Sequence, residues 1–220
     1  MKYICGIFVG FCVGLVACNT GTKLDNKKIA EEMKSRKVMH ITPIQLTENT
    51  FREGKKTADW LDKRLLNQLE RFSDKKNLVE WSSVCNVRSL GVDSLKKQYG
   101  ISIQRLALRN SPEKLAISKT ALQVWDAYRY NAEKKLPMEA NVQQEDNIYM
   151  LYSQPITLAS ATCLQCHGAV GKELSRKDFE ALRASYPSID SLANYTLNEP
   201  IGIWNVLFPK NKLAQPLDIK

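Results

Sequence analysis

The hydrophobic pattern begins with a nearly unbroken apolar run, Tyr3 to Ala17, behind Met1-Lys2. It is too short to cross a bilayer comfortably and has the form of a signal-peptide apolar region. Polar Asn19-Thr20-Gly21-Thr22 follows, and from Asn26 to about Met39 the residues are charged and helix-favouring, predicting a short solvated helix or spacer that Pro43 ends. Thr47 then offers an N-cap. Ala58, Leu61, Leu65, Leu69 and Phe72 recur at spacings of three and four, predicting a long amphipathic helix from about Glu48 to Phe72. A second helix starting near Ser73 places Leu78, Trp81 and Cys85 on one stripe and aims Cys85 inward. Val92 to Tyr99 reads as a further short helix, closed by Gly100.

Beyond Gly100 the period shortens. Ile101-Ser102-Ile103 and Leu106-Ala107-Leu108 alternate like a half-buried strand, which Arg109-Asn110-Ser111-Pro112 breaks. A helix is expected from Ser118 to Lys134, with Ala121, Leu122, Trp125 and Tyr128 on its apolar face. Ile148 to Leu158 reads as one or two strands interrupted at Ser153-Gln154-Pro155. Ser175 and Asp178 start a helix through Arg183, which Tyr186-Pro187 ends. Ile201 to Phe208 is the last strand, and Pro209 and Pro216 mark an irregular tail. Strands and helices do not alternate regularly, so the expected class is α+β, an antiparallel sheet with helices segregated around it.

Composition changes this picture little. The net charge of +9 is spread over pairs such as Lys27-Lys28, Lys55-Lys56, Lys96-Lys97 and Lys134-Lys135, the pattern of solvated faces. Such a surface suits an acidic redox partner or anionic headgroups, whereas nucleic acid does not fit an exported chain.

The cysteines change it a great deal. Cys163-Leu164-Gln165-Cys166-His167 is a C-x-x-C-H stretch, the attachment signature of c-type haem. Its two thiols form thioethers to the haem vinyl groups and its imidazole binds the iron. A thioredoxin-like dithiol needs a βαβ context, and half a zinc site needs a second ligand pair; neither is visible. Leu15-Val16-Ala17-Cys18 resembles the bacterial lipobox, in which the Cys becomes diacylated and forms the mature N-terminus. On this reading residues 1–17 are a lipoprotein signal peptide, 18–47 a lipid-anchored linker, and 48–220 one haem domain on the outer side of a bacterial membrane. Cys5 and Cys12 leave with the signal, so Cys85 is the unassigned thiol of an oxidising compartment. It is either a small buried hydrophobe or the distal iron ligand, competing there with His40, Met138, Met150 and an open position. Arg109, at a strand end, is either solvated or the guanidinium that pairs with a haem carboxylate.

These residues resemble a family of exported c-type haem proteins with a PAS-like fold, long catalogued as a domain of unknown function. The resemblance covers about residues 48 to 209. It rests on Val84-Cys85, on Leu108-Arg109-Asn110 with Pro112, on Cys163 to Gly168, and on Tyr186-Pro187, Asp190, Ala193, Tyr195 and Gly202. It implies one haem c between His167 and a distal thiolate that falls on Cys85. Ser111 intervenes in the family's R-N-P, and Asn194 replaces a family Gly, a residue that also tolerates positive φ.

The expected function is that of a membrane-anchored mono-haem cytochrome, in electron transfer or redox reporting with a partner protein not named by the sequence. The alternative is a haem-based gas or redox sensor in which Cys85 is displaced. An enzyme such as a peroxidase ranks third, since no distal His/Arg pair can be placed.

Overall fold

The computed structural model of the protein describes residues 41–72, 77–110 and 117–219, apart from the side chains of Phe72, Trp81 and Asp190. The expected signal segment, Cys18, the short helix at 26–39, His40, and Ser111-Pro112 lie outside the described residues. The helices are α1 (Pro43–Phe72), α2 (Leu78–Ser82), α3 (Val92–Tyr99), α4 (Lys119–Lys134), α5 (Leu164–His167) and α6 (Arg176–Ser185). The strands are β1 (Ser102–Ala107), β2 (Asn141–Gln144), β3 (Tyr149–Thr157) and β4 (Pro200–Pro209). They form one antiparallel sheet in the order β1-β4-β3-β2, so the class is α+β.

Helix α1 starts earlier than its hydrophobic period suggests. Pro43 opens it: the Gln45 amide donates to Thr42 Oγ1 at 3.2 Å and the Thr42 amide to Gln45 Oε1 at 3.0 Å. That reciprocal pair is a capping box, and a proline at the first helical position loses no hydrogen bond. Along α1, Ala58 and Leu61 are fully buried against Met150, Tyr152, Trp204, Val206 and Phe208 of the sheet. Gly54 lies so close to the Tyr152 ring that a Cβ there would overlap it. Trp204 Nε1 donates to Asp62 Oδ1 at 2.7 Å, tying the helix to the central strand.

The opposite face is covered by α4, whose Ala121, Val124, Trp125 and Tyr128 pack on Leu106, Leu108, Leu151 and Ile203. Ser118 caps α4 through the Ala121 amide. Both faces of β1 are therefore covered, not one. Its apolar phase slips between Ile103, which packs toward α1, and Leu106, which packs toward α4.

Strand β3 runs unbroken through Pro155. The pairing with β2 ends at Ser153, so at Pro155 only β4 is alongside and the missing N–H leaves no partner unmet. Strand β2, polar and largely exposed, has no counterpart in the sequence reading. The chain after β4 is irregular beyond a short 3₁₀ turn (Lys210–Lys212), as expected, but it is packed down. Leu213, Leu217 and Ile219 are buried in the α1-side core, Glu53 Oε2 accepts from the Leu217 amide at 3.1 Å, and Lys56 Nζ donates to the Leu217 carbonyl.

Candidate cofactor site

The C-x-x-C-H residues lie on a single tight turn. Ser160 Oγ accepts from the Thr162 amide, starting a 3₁₀ turn (Ala161–Cys163) that continues into α5. Cys163, Cys166 and His167 stand at i, i+3 and i+4 and so share one side of that turn. Gly168 follows, where a Cβ would press on the Leu164 carbonyl oxygen at 2.5 Å and on Glu173 Cβ at 2.7 Å.

A strap from Leu192 to Tyr195 pins this turn. The Tyr195 amide donates to the His167 carbonyl at 2.8 Å and the Asn194 amide to the Gly168 carbonyl at 3.0 Å. Asn194 Oδ1 accepts from the Val170 amide, and Asn194 holds φ +60°, a conformation that Asn tolerates. His167 Nδ1 lies 2.7 Å from the Leu192 carbonyl oxygen. A carbonyl only accepts, so Nδ1 carries the proton and the lone pair is left on Nε2. Burial first, and then the nearby Arg105 charge, push the His167 pKa down, keeping the ring neutral; the Leu192 bond opposes them. A neutral ring with its outer nitrogen bonded to a backbone carbonyl is the form in which imidazole ligates metal.

Cys85, Cys163 and Cys166 meet in one apolar cluster with Leu69, Val84, Leu174, Leu182, Ile189 and Ala193. Cys166 is 5% exposed; Cys85 and Cys163 are half-buried, and all three are free thiols. Burial raises each thiol pKa, that of Cys166 to about 12. Met138 and Met150, which compete with Cys85 in sequence, belong to the α4-side and α1-side cores instead. Among the described residues no three His, Cys, Asp or Glu side chains converge where a bare ion could sit. Two thiols and an imidazole on one turn, with Cys85 brought to the same cluster from a separate stretch, form a donor set compatible with a covalently held macrocycle.

Arg109 braces the strap. Its Nη1 donates to the Ala193 carbonyl at 3.0 Å, its Nη2 pairs with Glu199 Oε1 at 2.7 Å, and its guanidinium lies 3.6 Å from the Tyr195 ring centroid. Neighbouring Asn110 Oδ1 accepts from Ser191 Oγ. The residue missed by sequence reasoning is Arg105. It reaches from β1 past Trp204 and acts electrostatically on both Cys85 and His167. Tyr195 Oη, in a residue 2% exposed, has no hydrogen-bond partner among the described residues.

Four separated stretches, around Cys85, Arg109, Cys166 and Tyr195, thus meet at one place. The chain matches the Tll0287-like family over residues 25–209. It belongs to that family. The family is one of domains of unknown function, and the match runs from before α1 to the end of β4. No curated protein and no solved structure matches the chain.

Proposed function

We propose that the protein is an exported mono-haem c-type cytochrome, held to the membrane by lipid on Cys18, with iron bound by His167 and Cys85. The observation that carries this reading is the state of His167: neutral, protonated on Nδ1 by its bond to Leu192, and beside two thiols in attachment spacing. Cys163 and Cys166 would hold the haem edge, and the apolar cluster around them would exclude water. Cys85, on the 3₁₀ turn Ser83–Cys85, comes from a different part of the chain into the same cluster, as a distal ligand must. The haem, when bound, supplies a one-electron couple, and a thiolate donor favours its ferric state. The resemblance to PAS-like haem domains supports the same reading, and the sheet with helices on both faces accords with it. Lipid on Cys18 and a site outside the cytoplasm rest on the sequence signals alone.

The test is retention of haem by the purified full chain through denaturation and acid-organic extraction. Haem stays with the wild type and is largely lost from Cys163→Ala and Cys166→Ala; haem that extracts freely from the wild type refutes the proposal. Carbon monoxide then separates a carrier, in which gas binds slowly or not at all, from a sensor, in which Cys85 is displaced at once.

A further inference from the structure

Among the described residues Arg105 is a cation with no carboxylate partner. It projects from β1, its guanidinium 5.9 Å from the Trp204 ring centroid, and burial disfavours its charge. Among the described residues no carboxylate forms an ion pair with it; the group that favours its charge is the Cys85 thiol. Partly buried charges are ordinarily paired, because an unpaired one loses hydration with no compensating attraction. A cleft of about 400 Å³ opens beside it, lined among others by Asn86 and Val87, which follow Cys85 directly, and by Arg88, Asp93 and Lys96. The cleft is thus predominantly basic, next to the proposed distal ligand, and open to solvent.

Haem carries its two carboxylates on the edge opposite its vinyl groups. If Cys163 and Cys166 fix the vinyl edge, the carboxylates project beyond the iron, away from the thioethers, and need a cation or water. Arg109, the strand-end candidate, has its guanidinium already committed to Glu199 and the Ala193 carbonyl. Arg105 lines the same cleft as Asn86, the residue after Cys85, and has no such commitment.

We propose that Arg105 pairs with a haem propionate in the cleft beside Cys85, and so positions the haem and raises its reduction potential. A guanidinium fork matches a carboxylate in two-point geometry, which a lysine cannot reproduce. Neutralising a propionate removes a negative charge that would otherwise favour ferric iron. The inference rests on the haem reading above.

The experiment uses the haem-loaded full chain as wild type, Arg105→Gln, Arg105→Lys, and Arg88→Gln, the last removing a different cation from the same cleft. Reduction potential is measured by spectroelectrochemistry, and the propionate-bending band by resonance Raman. In Arg105→Gln the ferrous-to-ferric ratio at fixed potential falls about tenfold, equivalent to about 59 mV for one electron, and the propionate band moves. Arg105→Lys restores most of the potential but not the band, and Arg88→Gln leaves the band in place. If Arg105→Gln fails to fold, the Lys variant still decides through the band. Haem-loaded Arg105→Gln with an unmoved band and a ratio changed less than about twofold overturns the pairing and leaves the haem reading intact. Wild type without haem overturns both.

Discussion

Removing the Arg109 side chain should loosen the strap that orients His167, and the structure fixes the size of the effect. Arg109→Ala deletes one charged hydrogen bond to the Ala193 carbonyl, one ion pair with Glu199 and one stacking contact on Tyr195. A hydrogen bond from a charged donor contributes roughly 1.5–3 kcal/mol, an exposed ion pair roughly 0.2–1 kcal/mol, and an exposed cation–π contact roughly 0.5–1 kcal/mol. The side chains of Arg109 and Glu199 are 40% and 32% exposed, so solvent screening favours the low end of each range. The expected loss is about 2 kcal/mol. Urea denaturation of the purified protein, followed by far-ultraviolet circular dichroism, measures it. Arg109→Lys should recover less than half, since an ammonium lacks both the fork and the flat face. Glu199 also accepts from the Thr196 amide through Oε2, so Glu199→Gln should lose part of the strap as well. A double-mutant cycle should show the two residues coupled. Destabilisation under about 0.5 kcal/mol, or strict additivity with Glu199→Gln, would refute this account of the strap.

Gly54→Ala should lower stability although alanine is the better helix former. The new methyl displaces the Tyr152 ring at a cost of about 1–3 kcal/mol, against a propensity gain of about 1 kcal/mol; a raised melting temperature would contradict the packing of α1 on the sheet. Asp62 is half-buried beneath the Trp204 bond, and that desolvation, more than any charge nearby, holds its carboxyl above the ordinary range. Between the unfolded and the raised native pKa the native state binds more protons, so this group's contribution to stability falls as pH rises through that window. Asp62→Asn, which can still accept from Trp204, should flatten that part of the pH profile in urea titrations; an unchanged slope would argue against it.

The sequence exposed those elements whose signals were local. The period of α1 and the glycine that ends α3, at φ +70°, stand out in the chain and in the structure alike. What was hidden depended on neighbours distant in sequence. Pro43 looks like a helix stop unless Thr42 and Gln45 are seen to bond each other across it. Pro155 looks like a strand break unless β2 is known to end before it. Strand β2 itself, Asn141-Val142-Gln143-Gln144, is too polar and short to show alternation, and the burial of Leu217 depends on Glu53 and Lys56 far up the chain. At the site, spacing marked Cys163, Cys166 and His167, and cysteine counting marked Cys85. Arg105 was invisible because a charged residue inside a strand reads as solvent-facing, and only the assembled sheet brings its charge to bear on Cys85 and His167.

The most direct test of the proposed iron ligation is the ferric spectrum of the full-length protein beside that of Cys85→Ala. On the proposed reading attachment depends on Cys163 and Cys166 alone, so the variant should keep its haem. The wild type should give a low-spin ferric electron paramagnetic resonance signal. Cys85→Ala should shift toward high spin with a higher reduction potential, because an anionic sulfur donor is replaced by water or an empty position. The same spin state and the same potential in both proteins would return Cys85 to the role of a packed thiol and contradict the proposed ligation.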